Sequence, residues 1–179
     1  MTRDSQPNKE IKIRQAQTDE FREVGELLVK VYSNLEGFPS KEEQPDYYEL
    51  LLNIGEVTKK PHTQLLVALN PENSIMGAVV YFSDMAYYGS GGIATEQKNA
   101  SGFRLLAVDP IYRGNGVGKA LSLACIKKAR TDGNKELIIH STEFMKLAWK
   151  MYEKLGFKRS QPLDFMQQQL QVYGFRLKL

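Results

Sequence analysis

The chain has 179 residues, 42% of them hydrophobic and 25% charged, and carries a formal net charge of +3. That length suits one domain with a sizeable core, and the composition excludes a disordered chain. No apolar run approaches the ~20 residues of a membrane span, and a charge this mild makes no case for nucleic acid.

A single cysteine, Cys125, excludes an internal disulfide and a cysteine-rich zinc site, and it fits a reducing compartment. Residues 1–10 are polar and charged, with no apolar stretch of the kind a secretory leader needs. They read as a loose tail ahead of one domain over 11–179, and the expected location is cytoplasmic.

Ile11 to Arg14 alternates apolar and charged residues and predicts a short strand. Thr18 or Asp19 then caps a helix through Phe21, Val24, Leu27, Leu28, Val31 and Tyr32. A second helix starts near Pro45 and presents Tyr47, Tyr48, Leu51, Leu52 and Val57, ending before Pro61. Strands at 64–69 and 75–83 flank a turn-rich Asn-Pro-Glu-Asn-Ser and predict a hairpin. A Gly-, Ser- and Asn-rich loop over 87–102 leads into a strand at 103–108.

After Asp109 and Pro110 comes a glycine loop, then a helix carrying Val117, Ala120, Leu121, Ala124 and Cys125, closed by Gly133. A buried strand at 137–139 precedes a helix with Phe144, Leu147, Ala148, Met151, Tyr152 and Leu155 on one face, stopping at Gly156. Strands at 157–159 and 172–177 close the chain, with a Gln-rich connection between them. This order predicts an α/β (α+β) fold whose sheet is partly parallel in an otherwise antiparallel arrangement.

The segment with the most chemistry is Arg113-Gly114-Asn115-Gly116-Val117-Gly118-Lys119. A strand runs through it into a helix N-terminus, where the first backbone N–H groups lack intrahelical partners and carry the positive end of the dipole. Glycines at 114, 116 and 118 let a diphosphate approach that backbone. The nucleotide P-loop pattern fails, because Arg113 stands where its first glycine belongs and Ala120 where its Ser or Thr belongs. The dinucleotide pattern G-x-G-x-x-G fails at Lys119, and His140 stands where its acid is needed.

R-x-x-G-x-G does match, as Arg113, Gly116 and Gly118, and it resembles the acetyl-CoA pyrophosphate loop of the GNAT N-acetyltransferases. Tyr152-Glu153-Lys154-Leu155-Gly156-Phe157 resembles that family's tyrosine-bearing helix end and following strand. The resemblance implies a mixed, mostly antiparallel sheet of six to seven strands flanked by about four helices. It also implies a sheet splayed open between the strands at 103–108 and 137–140. Acetyl-CoA would lie in that cleft as co-substrate, without a metal, held by Leu106, Ala107 and Val108 and by Arg113, Gly114, Asn115, Gly116, Val117, Gly118 and Lys119. Tyr152 would meet the cofactor sulfur as the catalytic residue; on pattern alone, beside Ala148 and Leu155, it reads first as a core tyrosine with a polar tip.

An amine in its neutral form would attack the thioester directly in a ternary complex. A free alkyl amine has a pKa near ~10.4, so a base or a desolvated pocket must favour deprotonation. Glu96, His140 and water are the candidates, because the strand at 103–108 offers no carboxylate. Met145 stands where many family members have asparagine. Cys125, on an apolar helix face, reads as an inert core thiol.

The acceptor pocket is expected between residues 32 and 48 and the loop at 87–102. Its aromatics are Tyr32, Phe38, Tyr47, Tyr48, Tyr87 and Tyr88, and its acids Glu36, Glu42, Glu43 and Asp46. The expected partners are a small-molecule or peptide amine and no nucleic acid or membrane, with a homodimer as a candidate assembly. The rival reading is a non-catalytic acyl-CoA sensor on the same fold.

Overall fold

The computed structural model describes residues 10–179; residues 1–9, most of the expected tail, lie outside that range. The described residues form eight strands and four α-helices in the order β1 (Lys12–Gln15), α1 (Phe21–Ser33), α2 (Pro45–Leu52), β2 (Thr63–Leu69), β3 (Ile75–Phe82), β4 (Ala100–Val108), α3 (Val117–Thr131), β5 (Glu136–Ser141), α4 (Lys146–Lys154), β6 (Lys158–Arg159), β7 (Phe165–Gln167) and β8 (Leu170–Lys178). No helix among the described residues is long and apolar enough to cross a membrane.

The strands join in the order β1-β2-β3-β4-β5-β8-β6, with β7 paired to β8. Every pairing is antiparallel except β4 with β5. Period-two alternation divides the central strands between two cores. Leu65, Val67 and Leu69 of β2 join Val24, Leu27 and Leu28 of α1 and Leu51 of α2 on one face. Leu66 and Ala68 face the other way, with Leu121, Cys125 and Ala129 of α3 and Tyr152 of α4. Helices thus cover both faces, and β2 and β3 read as continuous apolar runs because both of their faces are buried.

Gly25 lets α1 and α2 approach closely: a Cβ there would sit 2.1 Å from the Leu52 carbonyl oxygen.

Several boundaries differ from the sequence expectation. Neither Thr18 nor Asp19 caps α1; the chain enters through a 3-10 turn, Thr18–Glu20, in which the Gln17 backbone N–H donates to Glu20 Oε2 at 2.7 Å. The second helix stops at Leu52, and Val57 belongs to a 3-10 turn at Ile54–Lys59. The helix at α4 begins after Phe144 and Met145. Strand β4 begins at Ala100, three residues early, because the small residues Ala100, Ser101 and Gly102 pair with β5 and Gly102 also with Phe82 of β3. The Gln-rich connection folds back as the hairpin β7–β8, turning at Gln168 with φ +55°. That hairpin raises the strand number above the expected six to seven.

Candidate functional site

The sheet opens where expected. Parallel pairing of β4 with β5 covers only Ala100 to Gly102 against Glu136 to Ile138. Beyond it β5 follows β8 through Ser141, and β4 runs on to Val108 with no strand among the described residues on that side. Phe103 to Val108 therefore offers an unpaired edge to an extended ligand.

A bulge shapes that edge. Ala78 pairs with Ala107 but Val80 pairs with Arg104, which inserts one extra residue in β4, and Leu105 takes φ +59°. A leucine in this left-handed region stores on the order of 1–3 kcal/mol of strain. The Asp109 N–H donates to the Met76 carbonyl at 2.9 Å. By the alternation of an antiparallel ladder, Ala107 then turns its backbone groups to β3, while the N–H groups of Leu106 and Val108 face the cleft. The Leu106 carbonyl, on the cleft side as this requires, accepts from the Tyr32 hydroxyl at 3.3 Å.

The glycine loop closes one end of the cleft. Asp109 accepts from the Ile111 N–H at 3.1 Å and sets a 3-10 turn at Pro110–Tyr112; the Asn115 amide returns to the Tyr112 carbonyl at 3.0 Å. Gly114 and Gly116 both take left-handed backbone, φ +78° and +79°, and Gly116 is the N-cap of α3. The first intrahelical bond runs from the Ala120 N–H to the Gly116 carbonyl at 2.9 Å, so the N–H groups of Val117, Gly118 and Lys119 have no acceptor within the helix. A Cβ built on Gly114 or Gly116 meets nothing within 4 Å. One on Gly118 would lie 3.6 Å from Val108 and from Met151. Gly118 therefore faces the strand and α4, while Gly114 and Gly116 border open space. Val117 is buried in the core; Arg113, Gly114, Asn115, Gly116 and Lys119 are exposed.

At the other end lies a cavity of about 100 Å³. Tyr152 lines it from α4, its ring packed edge-on against Phe103 and Phe157 at 5.8 and 5.7 Å. Burial pushes the Tyr152 phenol well above its ordinary range, so it is protonated at neutral pH. Tyr32, Phe38, Tyr47 and Tyr88 also line the cavity, as expected, and Met145 borders it.

Tyr48 and Tyr87 do not reach it. The Tyr48 hydroxyl donates to the Pro39 carbonyl at 2.7 Å, and the Tyr87 ring lies against His62 at 5.8 Å. Glu36, Glu42, Glu43 and Asp46 are exposed, and no carboxylate of the described residues lines the cavity.

His140 lines the cavity with both ring nitrogens engaged, Nδ1 at 3.0 Å from the Tyr88 hydroxyl and Nε2 at 2.8 Å from the Leu163 carbonyl. A carbonyl only accepts, so Nε2 carries the proton and Nδ1 accepts from Tyr88. Burial lowers the imidazole pKa to about 4. The ring thus has no free lone pair for an incoming amine. Glu96 is exposed in a 3-10 turn at Ala94–Glu96 and does not line the cavity.

Among the lining residues that sequence reasoning did not single out, Arg104, Ser141 and Thr142 matter most for the chemistry of the cavity. Arg104 was visible as the one charge in an apolar strand. The hydroxyls of Ser141 and Thr142 carried no local signal; both are buried without a hydrogen-bond partner among the described residues. Those residues also contain no group of three His, Cys, Asp or Glu placed to hold a metal.

Comparison with known proteins bears on the family and the fold. The family model described as "Acetyltransferase (GNAT) family" matches residues 22–157. N-acetylaspartate synthetase of Xenopus tropicalis is 35% identical over 63 residues, which is 35% of this chain and 23% of that protein. The chain thus matches about a quarter of that relative's length. A GNAT-family acetyltransferase of Staphylococcus aureus Mu50 superposes with a TM-score of 0.72 at 19% identity, covering 95% of this chain and 99% of that one. The PaiA N-acetyltransferase of Thermoplasma acidophilum, solved in complex with coenzyme A, superposes at 0.70 with 18% identity, covering 95% and 99%.

Proposed function

The chain belongs to the acetyltransferase (GNAT) family, and from that premise we propose that it moves the acetyl group of acetyl-CoA to a primary amine by direct attack in a ternary complex. The observation that carries this reading is the cleft itself. An unpaired strand edge leads from a loop of free backbone donors to a cavity lined by a buried phenol. The residues fit the cofactor: open space above Gly114 and Gly116 admits a diphosphate, and the exposed Arg113 and Lys119 add positive charge beside it. A coenzyme A complex of a neighbour with the same fold supports the choice.

Acetyl-CoA supplies the acyl group; the chain positions it and stabilises charge. The edge from Leu106 to Val108 binds the pantetheine amides in the manner of an added strand. The cleft-facing N–H groups of Leu106 and Val108 are placed to stabilise negative charge on the thioester oxygen. Tyr152 donates a hydrogen bond to the departing sulfur. Its raised pKa makes complete proton transfer to a thiolate of pKa ~8.5 uphill, so hydrogen bonding is its main contribution and solvent completes the protonation. Among the described residues no carboxylate and no free imidazole lines the cavity, so the amine loses its proton to water, helped by the largely aromatic lining, which disfavours the ammonium form.

The test is CoA release from acetyl-CoA with a pooled amine library, followed by Tyr152→Phe on the acceptor found. The variant is expected to keep CoA affinity and to lower turnover roughly 10- to 10⁴-fold. Normal turnover in a folded Tyr152→Phe protein would retire the catalytic assignment. CoA binding without release for any amine would favour the sensor reading.

A further inference from the structure

We propose that the acceptor amine also carries an anionic group, a carboxylate or a phosphate, and that Arg104 holds it. This rests on the reading of the cavity as the acceptor site. Among the described residues Arg104 is the only arginine or lysine lining the cavity, and no aspartate or glutamate of theirs lines it.

The other arginines of similar burial are neutralised. Arg14 pairs with Glu20 at 2.7 Å, Arg159 with Asp164 at 2.8 Å and Arg176 with Glu136 at 2.5 Å. Arg104 forms no ion pair among the described residues. Its Nη1 donates to the Tyr88 and Gly89 carbonyls at 2.9 and 3.2 Å, and its guanidinium lies 5.5 Å from the Tyr88 ring centre. These contacts aim the side chain and leave its charge uncompensated. A partly buried guanidinium without a counter-ion is unfavourable, and its planar fork matches a carboxylate or phosphate.

A second observation points to the same ligand. Ser141 and Thr142, each 3% exposed, line the cavity with hydroxyls that have no partner among the described residues. Buried hydroxyls are ordinarily satisfied, and an anionic oxygen has lone pairs to spare beyond those a guanidinium takes. Much of the remaining wall is aromatic, with Tyr32, Phe38 and Tyr47 forming a ring cluster whose centroids lie 5.6 to 6.2 Å apart, and its other polar side chains, such as Ser90 and Gln167, carry no charge. The site thus suits a compact amino acid or amino phosphate and opposes a polyamine. Its fixed positive charge also favours the neutral, nucleophilic form of the amine, which lessens the need for a base.

The experiment measures CoA release for a panel of amino acids, each beside its amide and its decarboxylated amine. Amino-alkyl and amino-sugar phosphates are run beside their dephosphorylated forms. At least one anionic compound is expected to exceed its anion-free partner roughly 10- to 150-fold in kcat/KM, the range for a hydrogen bond to a charged group, and which arm responds identifies carboxylate or phosphate. Arg104→Met should erase that preference mainly through KM while retaining CoA affinity, and Arg104→Lys should restore part of it. Should Arg104→Met fail to fold, the Lys variant decides: an undiminished preference there overturns the proposal.

Equal or better turnover of the anion-free partners also overturns it. So does the absence of both turnover and a CoA-dependent rise in melting temperature with every anionic compound. Failure of the acetyltransferase reading looks different, as wild-type protein that binds no CoA in calorimetry.

Discussion

Substituting Gly116 separates the fold of the glycine loop from its ligand. Gly116 sits at φ +79°, ψ 13°, and a Cβ there meets nothing within 4 Å. Gly116→Val therefore introduces backbone strain but no clash, about 1–2 kcal/mol for an L-residue in left-handed backbone. Against a margin of about 5–15 kcal/mol the protein stays folded, with Tm lowered by about 2–8 °C for a chain of this size.

The same open space is where the diphosphate must reach the N–H groups of residues 117–119. Losing two charge-assisted hydrogen bonds removes about 3–6 kcal/mol, a loss of roughly 10²- to 10⁴-fold in CoA affinity. Asparagine tolerates left-handed backbone and caps helices well, so Gly116→Asn should hold Tm within about 2 °C while losing affinity to a similar degree. Calorimetric titration with CoA beside thermal melts reads both quantities. A folded Gly116→Asn protein with undiminished CoA affinity would refute the assignment of the loop.

Two other groups give independent predictions. His140 has a folded-state pKa near 4 against an ordinary 6.5, so above pH 6.5 both folded and unfolded chains hold it neutral, and on acidification the unfolded chain takes the proton first. Stability present at pH 7.5 should fall by about 2 kcal/mol at pH 5, or about 4–8 °C in Tm, and His140→Gln should remove that component. Glu20 and Asp164, held below the usual carboxylate range, lose their contribution only at lower pH, so a wild-type melt indistinguishable from the variant's over this window would sink the buried-imidazole account. Cys125 is buried, with its thiol pushed far above the ordinary range by burial. It should resist iodoacetamide at pH 8 in native protein and react on unfolding; native labelling at the rate of a free thiol would contradict the packing of α3.

How much of this was legible in the sequence depends on how local each signal is. The glycine loop was readable because Arg113, Gly116 and Gly118 are neighbours in sequence and the role proposed for them is one of backbone geometry. Tyr152 was readable only through its resemblance, since the same apolar spacing describes a core residue, and in the structure its ring does pack in the core while also lining the cavity. The divergence of β4 from β5 at Gly102 follows from tertiary pairing and leaves no mark on either strand.

The engagement of His140 was hidden for the same reason, because one of its partners is the backbone carbonyl of Leu163, 23 residues away. Composition misled at two places. Ala100 to Gly102 looked like loop because small residues carry little strand preference, and Gln167 to Gln169 looked like a connection although a hairpin turns there. Arg104 was in plain view, but a lone charge in an apolar strand acquires meaning only when its missing counter-ion is known.

The most direct measurement of the central claim is a crystal structure of the protein with coenzyme A. The account predicts the diphosphate oxygens within hydrogen-bond distance of the N–H groups at 117–119, the pantetheine chain along Leu106 to Val108, and the sulfur within reach of the Tyr152 hydroxyl. Coenzyme A bound outside the gap between β4 and β5, or with its sulfur remote from Tyr152, would contradict it.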